Sequence, residues 1–373
     1  MPVRRTPLAL AALIAALLVA LLPAGGSSTA ASTVAERERW HTKVLAMVQA
    51  PGFPANVVLH PNGRVYAGTF SNMRGDSLPS VVREWTRRGD LLRSWEVPGQ
   101  DLAASHGIQV ANVDARGRLI VLEKSTGKVL RLNLDTGRWT TYSRLRDLPA
   151  CPLGLPGDGC TPNINDAGPI PNYAAWGPDG SLYLTDYGQA VLWKVPPGGG
   201  RARVWLADKR LDGIEFGTAG LALAPNRRSL FVMQQTSLGL GDLTVAQGKL
   251  YRIPLRGERT LTKLWQSRPM DLPDGFSFAR SGRVYVANAG SNQLVVLDEE
   301  FAEVERVPAL PVTGENGSPV PFDTPSNVTF AGRSVLVANQ SFLGTTANHA
   351  ILDVYVGERG VPIHIPRGAG VRR

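Results

Sequence analysis

One phrase recurs along this sequence, and it constrains the fold more than any other feature. It consists of an alternating apolar run, a polar turn such as Pro-Asp-Gly or Pro-Asn-Gly, and a second run of β-branched and aromatic residues. "NYAAWGPDGSLYLTD", which begins at Asn172, is a clear copy. This order predicts a β-hairpin, because the turn residues suit tight turns and the flanking runs have the two-residue period of a strand.

Six copies of the phrase follow one another at intervals of about 50 residues. Their opening runs begin at Asn56, Gly107, Tyr173, Gly220, Gly275 and Asn327. Each copy is followed by a third apolar run, such as "VVREW" or "KVLRLNL", and many by a fourth, such as "TKLWQSR". Four antiparallel strands at this period are typical of a propeller blade, whereas solenoid repeats are shorter and sandwiches lack the period. The sequence therefore predicts an all-β fold, a six-bladed β-propeller with four-stranded antiparallel blades.

The N-terminal residues 1–31 have the features of a secretory signal peptide. Arg4 and Arg5 precede an apolar stretch over residues 8–22, and Pro23 and a run of small residues follow it. The alternative is a membrane anchor, which needs about 20 apolar residues, more than this stretch offers. We therefore expect a secreted or extracytoplasmic protein that begins near Ser32 and has no stable membrane span after signal cleavage.

The remaining boundaries follow from the repeats. Residues 32–50 form an N-terminal lead-in, 51–357 form the propeller, and 358–373 are expected to supply a closing strand and a basic tail. A strand near residues 44–47 is a second candidate for closing the ring.

The charge and the cysteines narrow the possible partners and the compartment. The formal net charge is +9, but Arg4 and Arg5 leave with the signal peptide, and no basic stripe interleaved with aromatic residues remains. We therefore expect no nucleic-acid partner.

The chain has two cysteines, Cys151 and Cys160, and in an exported chain such a pair predicts a disulfide that staples a loop.

The propeller geometry indicates where a functional site should lie. The residues just before each opening run should face one mouth of the central channel. These positions are Ala55–Asn56, His106–Gly107, Asn172–Tyr173, Ala219–Gly220, Asp274–Gly275 and Ser326–Asn327. Carboxylate, amide and imidazole groups that converge suit a metal site with oxygen ligands or a polar small-molecule pocket. For each residue alone, a turn-forming or strand-capping role is the alternative.

At these same stretches the sequence resembles a known family. "NYAAWGPDGSLYLTD", "PDGFSFARSGRVYVANAGSNQLVVLD" and "GLALAPNRRSLFV" look like the senescence-marker-protein/gluconolactonase family of six-bladed propellers. Paraoxonases and strictosidine-synthase-like proteins are more distant relatives of that family. The resemblance extends over residues 51–357.

The resemblance implies a divalent cation, usually calcium, at the channel mouth. Family members that hydrolyse lactones hold it with a Glu before blade 1, Asn residues before blades 3 and 4, and an Asp before blade 5. Asn172 and Asp274 match two of these positions, whereas Ala55 and Ala219 stand at the Glu and at the blade 4 Asn. Replacement oxygen ligands could come from Asn56, Gln234, Gln235, Asn327 or the "NIND" loop at 163–166.

Two functions remain open at this point. The first is a secreted, metal-assisted hydrolase of lactones or related esters, in which the ion polarises the carbonyl and Asp274 or His106 moves a proton. A hydrogen-bonded structural role is the alternative for His106. The second is a non-catalytic propeller that has lost the ion and binds a small ligand or a protein partner at the channel mouth.

Overall fold

The computed structural model describes residues 37–70, 77–152, 159–213, 216–237 and 244–371. The predicted signal peptide lies outside these residues. The described residues belong to one compact unit that begins at Arg37.

Six four-stranded antiparallel sheets make up this unit. Strand β1 covers Thr42–Met47. Blade 1 contains β2 (Phe53–Leu59), β3 (Val65–Phe70), β4 (Val81–Trp85) and β5 (Leu91–Glu96). Blade 2 contains β6 (Ile108–Val113), β7 (Leu119–Glu123), β8 (Lys128–Leu132) and β9 (Trp139–Arg144). Blade 3 contains β10 (Pro171–Trp176), β11 (Leu182–Asp186), β12 (Val191–Val195) and β13 (Arg203–Ala207). Blade 4 contains β14 (Thr218–Leu223), β15 (Ser229–Gln234), β16 (Lys249–Pro254) and β17 (Thr262–Gln266). Blade 5 contains β18 (Pro273–Phe278), β19 (Val284–Asn288), β20 (Gln293–Leu297) and β21 (Glu303–Val307). Blade 6 contains β22 (Pro325–Ala331), β23 (Ser334–Asn339) and β24 (Ala350–Tyr355). Two 3-10 turns, Lys209–Leu211 and Thr346–Asn348, lie between strands.

The N-terminal strand closes the ring. β1 pairs antiparallel with β24 and becomes the fourth, outermost strand of blade 6. The inner strands neighbour one another in chain order, and β2 lies beside β22. The predicted six-bladed propeller is thus confirmed, with the strand near 44–47 as the closing strand. The expected C-terminal closing strand is not present in residues 358–371, where Gly360 forms only a single bridge with Ala279.

Apolar side chains stabilise the ring at the junctions between blades. The described residues form six buried apolar clusters, and each joins two neighbouring blades. Between blades 2 and 3, for example, Trp176 and Trp193 are 1% and 0% exposed. Burial of such large side chains contributes on the order of 2 to 3 kcal/mol each. The blades therefore support each other, and their inner strands are held in fixed positions around the channel.

The two ends of the channel differ. The inner strands begin at what we call the upper face, and their hairpin turns lie at the lower face. Residues 359–371, here called the C-terminal strap, run along the lower face. The strap is bonded to blade 5, where the Val361 amide donates to Phe278 O at 2.8 Å, and to blade 2, where the Ala115 amide donates to Ala369 O at 3.0 Å. Blades 5 and 2 are opposite in a six-membered ring, so the strap crosses the lower end of the channel.

The two cysteines form the predicted disulfide. Cys151 and Cys160 lie in the loop between β9 and β10, with their Cα atoms 4.8 Å apart. A Cα separation of this size is normal for a disulfide.

Within the described part of the chain, no helix has the length and apolar character to cross a membrane.

Candidate active site in the central channel

Tyr173 divides the channel into an upper and a lower part. Its hydroxyl group donates to the Ser326 carbonyl at 2.9 Å, and this bond joins blade 3 to blade 6 on the opposite side of the ring. The channel is narrow at this level, because a Cβ added to Gly275 would lie 2.6 Å from Asn327 Cβ and 2.7 Å from the Tyr173 hydroxyl. Only a residue without a side chain fits between these groups. The residues above and below Tyr173 therefore belong to different sites.

Asp274 lies on the upper side, as the second residue of β18, the inner strand of blade 5. The side chain is almost fully buried, with 9% of the residue exposed. Burial raises the pKa of the Asp274 carboxyl to about 7, and the neighbouring Tyr173 hydroxyl opposes this rise only in part. Asp274 Oδ1 has no hydrogen-bond partner among the described residues. A buried carboxyl group that titrates near neutrality is a strong candidate for a functional group.

Asn172 contributes an amide to the same upper side, beside blade 2. Its Oδ1 atom accepts a hydrogen bond of 2.6 Å from Gln109 Nε2, and its Nδ2 atom donates to Thr218 O at 3.4 Å. Gln109 Oε1 is buried and has no partner in the described part of the chain. The two amides thus form a buried pair in which Gln109 Oε1 has no donor among the described residues. Gln109 was not predicted from the sequence.

The other predicted ligands on the upper face serve mainly to connect loops. Gln234 Nε2 donates to Asp212 O, while its Oε1 atom is buried without a partner among the residues described. Gln235 Nε2 donates to Leu272 O at 3.5 Å and links blade 4 to the loop before blade 5. The "NIND" loop is fastened in a similar way, since Asn163 Nδ2 donates to Asp212 Oδ1 at 2.7 Å.

His106 is held between two backbone carbonyls. Its Nδ1 atom is 3.0 Å from Ala104 O and its Nε2 atom is 2.9 Å from Leu78 O, and the residue is 1% exposed. Both ring nitrogens therefore contact backbone acceptors. A role as general base would require His106 to break one of these contacts, so the geometry supports the structural alternative.

Five aromatic side chains lie over the upper mouth. Tyr187 contacts Phe216, with ring centroids 6.4 Å apart, and Phe216 contacts Phe342 at 6.4 Å. Phe342 contacts Phe53 at 5.6 Å, and Phe53 contacts Phe70 at 6.1 Å. This aromatic arc joins loops of blades 3, 4 and 6 to the ends of strands β2 and β3 in blade 1 and gives the upper mouth an apolar cover. None of its members was predicted from the sequence.

Tyr187, at one end of the aromatic arc, is near enough to Asp274 for the two groups to interact electrostatically. Burial raises the pKa of the Tyr187 hydroxyl, and the negative charges of Asp186 and Asp274 raise it further. The hydroxyl group therefore stays protonated at neutral pH and can donate a hydrogen bond. Asp186 itself is occupied by structural contacts, such as the 2.9 Å bond that it accepts from Trp193 Nε1.

The upper site does not fit the calcium centre that the resemblance implied. The positions expected to carry Glu and the second Asn are Ala55 and Ala219, both 1% exposed. Within the described ranges, no group of three or more His, Cys, Asp or Glu side chains could hold a metal ion. Asp274 Oδ1 and Gln109 Oε1 accept no hydrogen bond from the described residues, but calcium takes six to eight oxygens and its affinity follows the number of charged ligands. One carboxylate is a poor basis for that affinity.

Asn56 and Asn327 lie below Tyr173, although we expected them on the same rim as Asp274. Both line a cavity at the lower face. Asn327 is also bonded to blade 1, because its Oδ1 atom accepts from the Val57 amide at 3.0 Å. The predicted positions therefore do not form one ring of ligands.

Comparisons with known proteins support the fold. No protein family and no curated protein matches the sequence. Among solved structures, the calcium-binding protein regucalcin from Agrobacterium tumefaciens str. C58 aligns with a TM-score of 0.57 and 15% identity over 87% of this chain and 98% of its own. A gluconolactonase from Xanthomonas campestris aligns with a TM-score of 0.51 and 18% identity over 84% and 89%. A catalytically inactive virginiamycin B lyase from Staphylococcus aureus, in complex with quinupristin, aligns with a TM-score of 0.52 and 13% identity over 84% and 98%. The chain thus shares the propeller fold of these proteins.

Proposed function

We propose that the upper mouth of the channel is a site of lactone or ester hydrolysis, with Asp274 as the acid–base group. The observation that carries this proposal is the buried Asp274 carboxyl, whose pKa is about 7 and whose Oδ1 atom has no partner among the described residues. General acid–base catalysis works best when the pKa of the group lies near the working pH.

The proposed reaction uses residues of this chain. The Asp274 carboxylate takes a proton from a water molecule as the water oxygen bonds to the substrate carbonyl carbon. The carbon–oxygen bond of the ester then breaks, and Asp274 returns the proton to the leaving oxygen. The protonated Tyr187 hydroxyl donates a hydrogen bond to the carbonyl oxygen as negative charge develops there. The resemblance would assign carbonyl polarisation to a calcium ion, but the donor set of this site does not support that part of the hypothesis.

The aromatic arc indicates the kind of substrate. Its rings offer apolar contact and exclude water from the mouth, which strengthens electrostatic interactions beneath them. We therefore expect esters or lactones with an apolar or aromatic substituent to be better substrates than sugar lactones.

The experiment is a hydrolysis screen of aryl esters, alkyl lactones and sugar lactones, run with calcium and with a chelator. We expect wild-type kcat/KM to rise about tenfold per pH unit below 7 and to level off above it, since the carboxylate is the active form. Asp274→Asn should lower kcat/KM by about 100-fold or more. Asp135→Asn, at an exposed turn, is the matched control and should behave like wild type. Equal activity of the Asp274→Asn protein would refute the assignment of Asp274.

A second candidate is a propeller that binds a ligand at the upper mouth without turning it over. Ala55 and Ala219 favour it, because they replace two of the four ligands that the resemblance implies. The same screen distinguishes the two functions. Compounds that raise the melting temperature of the wild type but are not hydrolysed, with or without calcium, would favour binding over catalysis.

We infer further that the protein acts outside the cytoplasm. The paired arginines, the apolar stretch at 8–22 and the small residues after Pro23 support this inference. N-terminal sequencing of protein from the exported fraction should give a start near Ser32. An intact Met1 in that fraction would contradict signal cleavage.

A further inference from the structure

A cavity lies on the other side of Tyr173 from Asp274. It has a volume of about 920 Å³ and is enclosed by the lower halves of the inner strands and by the C-terminal strap. Much of its wall is apolar. These wall residues are Trp176, Leu221, Leu223, Phe276, Phe278 and Val328. Ligand pockets in proteins typically have volumes of roughly 300 to 1,000 Å³ and walls of this kind.

The rim of this lower cavity is positively charged. Four arginines line it, one each from blades 1, 4 and 5 and one from the strap, and all four are exposed. They are Arg87, Arg227, Arg280 and Arg359. Among the described residues no Asp or Glu lines the cavity, so no carboxylate of its wall neutralises these side chains. Arg87 and Arg280 instead donate to backbone carbonyls, at Ala331 and Gly360.

The strap also places an imidazole side chain, His364, in the cavity wall. His364 Nε2 is buried and has no hydrogen-bond partner among the described residues. Burial lowers the pKa of this imidazole, and the nearby Arg227 lowers it further. Glu358, the residue before the strap, accepts a hydrogen bond of 2.6 Å from the Tyr285 hydroxyl and lies 3.6 Å from Arg283 Nη1, so its charge is paired with an arginine outside the rim. A ligand that entered here would meet apolar walls and four guanidinium groups.

We propose that the lower cavity binds an amphipathic organic anion, with its apolar body between the blades and its carboxylate or sulfonate group at the arginine rim. Guanidinium groups bind such planar or tetrahedral anions through paired N–H donors, and the apolar walls account for the rest of the ligand. This site is separate from the proposed hydrolytic site, because Tyr173 stands between the two. It does not depend on whether Asp274 is catalytic.

The test uses a matched pair of fluorescent probes. 8-Anilinonaphthalene-1-sulfonate has an apolar ring system and a sulfonate, and N-phenyl-1-naphthylamine has the same rings without the charge. We expect the sulfonate to bind wild type with one-to-one stoichiometry and the neutral probe to bind at least about tenfold more weakly. Because such probes also bind partly unfolded protein, the titrations require samples with native near-UV circular dichroism.

Two variants locate the bound probe. Ala222 lines the cavity and is half-buried, so Ala222→Phe should fill the space and remove saturable binding. Arg227→Ser combined with Arg359→Ser should weaken the sulfonate about tenfold and leave the neutral probe unchanged. The control is Arg252→Ser combined with Arg256→Ser, which removes the same charge from exposed positions of blade 4 away from the cavity.

Several results would overturn the proposal. These are equal affinity of the two probes for wild type, unchanged sulfonate binding in Ala222→Phe, and equal weakening by the two arginine pairs. If Ala222→Phe does not fold, the comparison of the arginine pairs decides. Asp274→Asn should leave probe binding unchanged, and a loss there would mean that the probe occupies the upper mouth instead.

Discussion

Asp274→Asn is expected to stabilise the protein at pH 8 and to have little effect at pH 4. The folded-state pKa of Asp274 is about 7, whereas an unfolded chain has an Asp pKa of about 3.9. Between these values the folded state holds a proton that the unfolded state has lost, so the contribution of Asp274 to stability falls as pH rises from about 4 to about 7. A shift of about three pKa units corresponds to at most ~4 kcal/mol.

The measurement is urea unfolding of wild type and Asp274→Asn at pH 4, 6 and 8. The neutral amide has nearly the same shape as the carboxyl group, so the variant removes the buried charge without opening a cavity. The difference between the two proteins should grow with pH and reach its full size above pH 7. Asp135→Asn should show no such trend, because Asp135 is exposed. A difference for Asp274→Asn that stays constant with pH would mean that the carboxyl is not buried in the charged form.

The sequence was sufficient to predict the blades because their strands have local patterns. "VVREW" is β4 and "KVLRL" is β8, both predicted as third runs, and "TKLWQ" is β17, predicted as a fourth run. The period of about 50 residues then fixed the number of blades. Ring closure involves residues far apart in sequence. The pattern therefore offered two candidates for the closing strand, residues 44–47 and the C-terminus, and did not distinguish between them. In the structure Thr42 pairs with Val354, so the N-terminal strand closes the ring.

The level of each residue along the channel was harder to predict. Successive residues of a regular strand face opposite sides, but the inner strands contain bulges that alter this alternation. Register shifts occur between Pro54 and Val57 in β2 and between Pro273 and Phe276 in β18. Hydrophobic periodicity does not encode the position of such bulges. The shift lies at the equivalent place in both strands, so Asn56 aligns with Gly275, one residue further along the channel than Asp274. The pair Ala55–Asn56 therefore spans two levels of the channel, and Asn56 was grouped with Asp274 although the two lie on different sides of Tyr173.

The residues that cover each mouth of the channel also could not be predicted from the sequence pattern. The aromatic arc is built from residues such as Phe216 and Phe342, which lie in loops outside the repeat. The strap has no strand pattern, and its position depends on contacts such as the 3.0 Å bond from Arg131 Nη1 to Gly370 O. Both features depend on contacts between segments that are far apart in the sequence. A single sequence does not indicate which distant segments contact each other.

Arg306→Met is expected to destabilise the protein by about 3 to 5 kcal/mol, because it would leave a buried carboxylate without its partner. Arg306 Nη1 is 2.7 Å from Asp271 Oδ1 and Nη2 is 2.8 Å from Glu303 Oε2. The side chains of Arg306 and Asp271 are only 8% and 2% exposed. Although burial opposes the charge, the hydrogen bonds to Asp271 and Glu303 raise the Arg306 pKa and hold the guanidinium in its charged form.

This ion network also positions the proposed catalytic residue. Asp271 lies in the loop that leads into β18, three residues before Asp274, and Arg306 fixes that loop to β21. We therefore expect Arg306→Met to lower ester hydrolysis as well as the urea midpoint.

Adding Asp271→Asn should recover part of the stability, since it removes the unpaired buried charge. Arg88→Met is the control, because Arg88 and Asp90 form an exposed pair 4.0 Å apart that should contribute at most about 1 kcal/mol. If Arg306→Met changed stability no more than Arg88→Met, the network would not be holding the loop, and the placement of Asp274 would have to depend on Tyr173 and the blade 5 strand alone.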